Sequence, residues 1–473
     1  MNSASIWIFF PGLVAVILLL LQNREILVAI LATVTAAGLT ALAVWLPLQE
    51  QIVLWRWVIP FSDTFLIFGR RIVLSATDRP TLIAIYLFAA LWFGAAPIAR
   101  PNKLFVPLGL GVAALLTAAI AIEPFLFAAV IIEIAALASI PFLSPPGSKA
   151  GRGVLRFLTY QTIGMPFILI SGFMFTGFEV GPGNSQFVAI ATALLVIGFA
   201  LMLAVFPFHT WIPMLAEESH PYSTSYILLI LPVALSIFGF GFLDSFVWLK
   251  DNPSTGLLLQ VVGVVMILTA GIWAAVEKHL ARVMGFAAIL DVGFSLIAIG
   301  LAVGSDNEFF RVLFITGLLP RGLSLGILAL ALSALISRGG GLQIADIRGI
   351  GKEYPFISTS IVLALFCLAG IPLFAGFPLK LGLIEELTGV VPQIAVWAII
   401  GSLGLIVAGI RILIVIVSGE NEETGNKSPE SGILKIFLTI GWILLVFLGL
   451  FPNIFIKVVL NLPAAFSQIG PLS

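Results

Sequence analysis

Three things are scarce in this chain of 473 residues: charge, histidine and cysteine. Charged residues make up 10% of it against 60% hydrophobic ones, a balance that excludes an ordinary soluble globular protein and places the chain in a bilayer. Cys367 is the single cysteine, so no intramolecular disulfide can form. His209, His220 and His279 stand far apart and none joins a metal-ligand spacing. A phosphate-cradling glycine motif and a haem-attachment pair are both missing. The sequence therefore assigns no cofactor to this chain, and any redox or nucleotide chemistry associated with it is carried elsewhere.

What the chain has instead is apolar length. A hydrocarbon core about 30 Å thick takes roughly 20 apolar residues per helical crossing, and about fourteen such segments can be placed. They fall near 5–22, 26–48, 81–99, 104–122, 124–143, 153–176, 187–219, 222–247, 256–276, 279–302, 309–337, 355–386, 391–418 and 433–460, which reads as an all-α polytopic membrane protein. The first run, Ile6 to Leu21, has neither a basic residue before it nor a small-residue cleavage site, and reads as a retained helix. Between the second and third segments, residues 51–79 are too polar to span. There Val53, Trp55 and Trp57 alternate with Leu54, Arg56 and Val58, as in a hairpin or amphipathic segment at the interface. Residues 418–431, rich in Glu, Asn, Gly and Ser, read as a surface loop.

Two segments are interrupted. Phe206-Pro-Phe-His-Thr-Trp-Ile-Pro213 and Ile371-Pro-Leu-Phe-Ala-Gly-Phe-Pro378 each place two prolines six residues apart in an apolar helix. Pro207, Pro213, Pro372 and Pro378 lack the amide proton a continuous helix uses, so the seventh and twelfth segments are expected to be broken. Backbone freed at membrane depth is tolerated where protein or a hydrated cavity covers it, and paired breaks in two halves point to a transport site.

Charge placement suggests orientation. Arg24, Arg100, Lys103, Lys149, Arg152, Arg156, Lys278, Arg282, Arg338, Arg348, Lys352, Lys427 and Lys435 lie on odd-numbered connections. Arg56, Arg70, Arg71, Arg79, Lys250, Arg311 and Lys457 lie on the opposite side. The positive-inside rule then puts the odd connections in the cytoplasm and both termini outside the cytoplasmic membrane.

Five ionisable residues are left at helix depth: Glu133, Asp291, Arg321, Lys380 and Arg411. An unpaired charge there costs roughly 2.5 to 3.5 kcal/mol on insertion scales, so it persists where it pairs, lines water or does work. Glu133 has no polar neighbour for several residues on either side, and reads either as a proton carrier or as a protonated carboxyl bonded to a carbonyl. Lys380 follows the second break, where freed carbonyls can accept its protons, or else it snorkels to an interface. Arg321 and Arg411 keep their protons and read as counter-charges. Asp291 can pair with either arginine, and helical register does not say which. His209 sits at the first break, either as a relay member or as a packing residue.

These segments resemble a family. Phe206-Pro-Phe-His-Thr-Trp-Ile-Pro is similar to the Phe-Pro-Phe-His-Thr-Trp-Leu-Pro signature of the antiporter-like membrane subunits of respiratory complex I, shared with the large subunits of Mrp-type multisubunit cation/proton antiporters. Arg282-Val-Met-Gly-Phe-Ala-Ala-Ile-Leu-Asp-Val-Gly-Phe and Leu368-Ala-Gly-Ile-Pro-Leu-Phe-Ala-Gly-Phe-Pro-Leu-Lys resemble two further family segments in the same order. The resemblance implies fourteen core helices, with helices four to eight (104–247) and nine to thirteen (256–418) as inverted five-helix repeats. Residues 1–99 then precede the repeats, and 419–473 hold a cytoplasmic loop and the last helix. It also implies neighbouring membrane subunits as partners and proton translocation as the task of the assembly.

Carried over by position, Glu133 falls on the family's essential helix-five glutamate, Lys380 on its helix-twelve lysine and Arg321 on a helix-eleven lysine. The departures are Met202 and Ala234 at lysine positions of helices seven and eight, Met214 at an aspartate, and Gly317 and Asp291 at histidines. Three functions follow. One is an antiporter-like subunit of a complex I-like NADH:quinone oxidoreductase or of a multisubunit cation/proton antiporter. Another is a non-conducting scaffold paralogue in such an assembly, and a third is a stand-alone solute transporter.

Overall fold

The computed structural model describes residues 4–45, 52–54, 57–59, 64–67, 69–75, 78–145, 147, 151–180, 185–303, 309–419 and 429–454. A π-helical turn, Ser5–Phe9, leads into α1 (Phe10–Leu20) and α2 (Glu25–Trp45). The strands β1 (Ile52–Leu54) and β2 (Trp57–Ile59) pair antiparallel, and β3 (Thr64–Ile67), β4 (Arg70–Val73) and β5 (Ile122–Glu123) form a second small sheet. The interfacial segment is thus a pair of hairpins over its described part. Helices α3 (Arg79–Ala99), α4 (Phe105–Ala121), α5 (Ala128–Leu143), α6 (Arg152–Val180) and α7 (Ser185–Met202) follow, then α8 (Trp211–Glu218), α9 (Pro221–Ser245) and the short α10 (Val247–Lys250). The remainder is α11 (Pro253–Val276), α12 (Leu280–Ala302), α13 (Phe309–Ile336), α14 (Pro355–Ala369), α15 (Gly376–Val390), α16 (Pro392–Val417) and α17 (Gly432–Leu450). Ten of the described helical spans are long and apolar enough to cross a membrane, and four more apolar helices are shorter. The chain is an all-α integral membrane protein, and residues 455–460 of the last expected crossing lie outside the described residues.

Helix ends follow local chemistry. Proline opens α3, α9, α11, α14 and α16, where its missing N–H is an orphan in any case. Asn252 and Ser431 accept from the amides of Ser254 and Leu434 as N-caps of α11 and α17. Within the bundle the driving force is close packing rather than exclusion from water, and small residues set it. Gly263 and Gly293 let α11 and α12 approach until a Cβ on either would stand 2.6 or 2.7 Å from the other's carbonyl oxygen. Further along the same seam Gln260 donates to the carbonyl of Gly300 at 3.3 Å.

A second knot is aromatic. Trp92, Phe93, Phe105, Tyr222 and Tyr226 stack between α3, α4 and α9, with Tyr226 Oη donating to Gly109 O at 3.0 Å and Tyr222 Oη to Trp92 O at 2.8 Å. Among the described candidate spans α12 is the most enclosed and α17 the least. Asp291 is carried on that central helix.

Candidate functional site

Both interruptions exist, and their backbone follows one plan. Helix α7 ends at Met202, residues 203–207 leave the helical ladder, a 3₁₀ turn covers Phe208–Thr210, and α8 begins at Trp211. Helix α14 ends at Ala369 with Gly370 in the left-handed region at φ 82°, and α15 begins at Gly376. In each case only the first proline, Pro207 or Pro372, lies in the gap. Pro213 and Pro378 occupy the third position of α8 and α15, narrowing the expected breaks. A first-turn residue needs no N–H partner within its own helix, so a proline there starts a helix rather than breaking it.

The second gap is lined with charge. Lys380, buried in α15, reaches back to donate to the carbonyl of Leu368 near the end of α14. Its Nζ stands 3.4 Å from Asp291 Oδ1 and 4.6 Å from the centre of the Phe294 ring. The other carboxylate oxygen, Oδ2, lies 3.5 Å from Nε of the buried Arg321 on α13. Arg321 also points Nη1 at Ser295 Oγ, 3.5 Å away, and donates through Nη2 to Leu228 O at 3.4 Å. One aspartate from α12 thus bridges two cations from α13 and α15. At these separations each attraction is worth about 4 to 5 kcal/mol before desolvation, at an effective dielectric of 20. Beside the triad is a cavity of about 40 Å³ whose walls include Asp291, Ser295, Gly317, Arg321, Ser324, Cys367 and Lys380. Such a space holds about two or three water molecules.

The first gap is lined otherwise. Met202 is buried with its side chain packed on Gly164, where an added Cβ would meet Met202 Cγ at 2.5 Å. Gln161 Nε2 donates to Met202 O at 3.1 Å while Gln161 Oε1 stays buried without a partner among the described residues. His209 is buried and stacked on Phe206, centroids 5.6 Å apart, with Nδ1 unpartnered among the described residues. Ala234 is enclosed in α9. Glu133, half-buried on α5, makes no hydrogen bond or ion pair among the described residues.

Asp291 therefore meets Arg321 and Lys380, and Arg411 stands elsewhere. The guanidinium of Arg411 donates to the carbonyl of Glu277 at the end of α11. There it borders a second cluster, in which Arg282 Nε lies 3.0 Å from Glu217 Oε2 and Arg282 Nη1 lies 3.4 Å from Glu277 Oε2. This cluster ties α8 to the facing ends of α11, α12 and α16. In the sequence Glu217 and Glu277 carry no signal beyond their places near helix ends, and Arg282 marks orientation and opens one of the family-like segments without pointing to a partner. Among the described residues no group of three or more His, Cys, Asp or Glu could hold a metal ion.

Residues 154–406 match the transmembrane family described as NADH:quinone oxidoreductase/Mrp antiporter. NADH-quinone oxidoreductase subunit N of Cytophaga hutchinsonii is 26% identical over 279 residues, covering 58% of this chain and 59% of the relative. The chain thus spans 59% of the length of that relative. Two solved structures share the fold along almost the whole chain. A chain of the Mrp complex from Dietzia sp. DQ12-45-1b superposes with a TM-score of 0.78 at 19% identity, covering 99% of this chain and 98% of its own length. A chain of respiratory complex I from Thermus thermophilus, with bound aureothin, does so with a TM-score of 0.74 at 18% identity, covering 98% and 99%.

Proposed function

This chain belongs to the NADH:quinone oxidoreductase/Mrp antiporter transmembrane family, and we propose that it is an antiporter-like membrane subunit of a complex I-like assembly, contributing to proton translocation. The observation that carries this reading is the bridged triad beside a helix break: Asp291 shared by Lys380 and Arg321 in a space with room for water. Guanidinium keeps its proton, so Arg321 holds the carboxylate of Asp291 in place as a fixed counter-charge. Lys380 is then the group whose proton comes and goes. Without it Asp291 and Arg321 balance, and with it the Leu368 carbonyl and the Phe294 face share the extra positive charge. Proton exchange at Lys380 strands no bare charge, which is what a carrier at membrane depth requires. No cofactor is assigned to this chain, and its partners are neighbouring membrane subunits.

The test is proton pumping by the intact assembly. Lys380→Met should depress pumping about a hundredfold, the low side of what a positioned proton-transfer group contributes, while Glu133→Gln depresses it less. If Glu133→Gln abolishes pumping and Lys380→Met is silent, the first half conducts instead. The scaffold reading draws on Met202 and Ala234 at cation positions of the first half, and it gains if both variants assemble and pump normally. The proposed orientation has both termini outside. With Cys367 buried, an impermeant thiol reagent applied to intact cells should label Asp251→Cys and spare Lys103→Cys. The reverse pattern would invert the topology.

A further inference from the structure

Around the triad most glycines mark close approach. On α13 a Cβ at Gly322 would run into the Phe88 ring, and one at Gly326 would stand 3.1 Å from the Trp92 ring. At the second gap a Cβ at Gly376 would collide with Cys367 O. One at Gly449 of α17 would collide with Leu373 O, where Ala375 N donates to Leu445 O at 2.9 Å and seats α17 on the gap. Gly317 is different. It lies within α13, yet a Cβ there would meet nothing within 4 Å. None of residues 312–335 is exposed, so the open space beside Gly317 lies among the helices rather than in the lipid.

That space is the cavity beside the triad. Leu313, Gly317, Arg321 and Ser324 recur every three or four residues and lay one face of α13 along it. Asp291 and Ser295 of α12 and Lys380 of α15 are also in its walls. Ser324 Oγ is wholly buried and meets no oxygen or nitrogen partner among the described residues, so the wall carries a hydroxyl for water to bond. A polar cavity with several such partners holds water, where an apolar one stays dry. Glycine in the middle of a helix weakens it, because it loses more backbone freedom on folding than any other residue. With no close contact to require it, what glycine supplies at 317 is room.

We infer that Gly317 is a positioning residue for proton exchange at Lys380: by withholding a side chain it keeps open the water compartment through which the lysine gains and loses its proton. The ammonium hands its proton to water in the cavity and the neutral amine takes one back, with no other bond made or broken. The inference rests on the reading of Lys380 as the carrier and adds its means of access. An alanine methyl at 317 would take the room of about one water, and the four carbons of leucine would take the room of them all. Either leaves Asp291, Arg321 and Lys380 with their partners, so access and pairing can be separated.

The experiment measures pumping by the intact assembly, with thermal unfolding of the same assembly as the readout that a packing role would move. Gly317→Leu should cut pumping about a hundredfold, as Lys380→Met does, because both end exchange at the lysine. Gly317→Ala should cut it less while the unfolding temperature stays level or rises, since alanine favours the helix and fills empty space. Threonine and valine share one shape, so Gly317→Thr, whose hydroxyl can bond the water, should pump better than Gly317→Val. Gly38→Ala, at an equally open glycine of α2 outside the cavity, should leave pumping unchanged. Full pumping by Gly317→Leu beside a Lys380→Met variant that has lost it refutes the compartment and leaves the carrier standing. Equal pumping by the Thr and Val variants, or losses that track a lowered unfolding temperature, would make Gly317 a packing residue and overturn the inference. If Lys380→Met itself pumps normally, the carrier reading falls and the inference falls with it.

Discussion

The first break is lined by the buried Met202, Gln161 and a stacked His209, whereas the second is lined by the buried Lys380 and Arg321 with the half-buried Asp291 between them. The backbone around them shares a plan, one proline in the gap and one at the third position of the following helix, although the first gap alone has a cis Phe206–Pro207 bond and a 3₁₀ turn. Close approach recurs too. A Cβ on Gly153 would stand 2.4 Å from Leu215 N in α8, and one on Gly376 would stand 2.2 Å from Cys367 O in α14. A broken helix is therefore a packing device that survives without charge. What the charge adds at the second break is a group whose proton can move.

If that distinction holds, variants at the two breaks should part company, with the loss of pumping in Lys380→Met as the largest effect. Next in size is Asp291→Asn, which leaves two buried cations facing each other. Removing one partner of a buried ion pair costs about 3–5 kcal/mol, so the solubilised protein should unfold at a clearly lower temperature. Adding Arg321→Gln should recover part of the loss. A thermal transition unmoved by Asp291→Asn would mean that the triad is not a coupled unit.

Smaller still is the effect of α17 at the second gap. Gly449→Leu drives a side chain into the backbone of Leu373 and should cost about 1–3 kcal/mol, as overpacking does. Gly432→Leu on the same helix, where nothing lies within 4 Å, should be silent. Equal effects from the two would show that α17 is not seated on the gap as described.

The last effect shows only in acid and concerns the connection after α8 in the first half. Burial pushes the His220 imidazole down to about 4. A histidine held neutral in the fold takes up its proton more readily when unfolded. Its stabilisation is therefore present above the ordinary value near 6.5 and is lost as pH falls from there toward 4. Glu217, Glu218, Arg100 and Lys103 line the same recess. His220→Asn should flatten the stability profile between pH 4 and 6.5, and a profile left unchanged would place the titration on the carboxylates instead.

Much of the fold was legible because a bilayer leaves few options. Long apolar runs must be helices there, and the two proline pairs mark the two that are interrupted, while Pro166, Pro232 and Pro320 stand singly inside the continuous α6, α9 and α13. The extent of the gaps was less legible, since Pro213 reads as a breaker in the chain and acts as a helix start in three dimensions. The site was legible as a set of residues and not as a set of pairs. Asp291, Arg321 and Lys380 stand out one by one as charges in apolar surroundings. Their meeting depends on the relative rotation and depth of α12, α13 and α15, which no periodicity within a single helix records. Arg411 looked as good a partner for Asp291 as Arg321 did, and ended at Glu277 because α16 places it against the end of α11.

The sequence by itself determined a membrane-embedded helical chain, two punctuated helices and the short roster of charges that had to be accommodated. These follow from local physics: backbone hydrogen bonding in hydrocarbon, the missing amide of proline and the cost of an isolated ion. Only the tertiary structure decided that one aspartate serves two cations, that Gln161 closes on the carbonyl of Met202, and that α17 packs against the second gap. Those outcomes depend on how neighbouring helices pack at their small residues. That packing is a property of pairs of surfaces, and no single stretch of chain contains it.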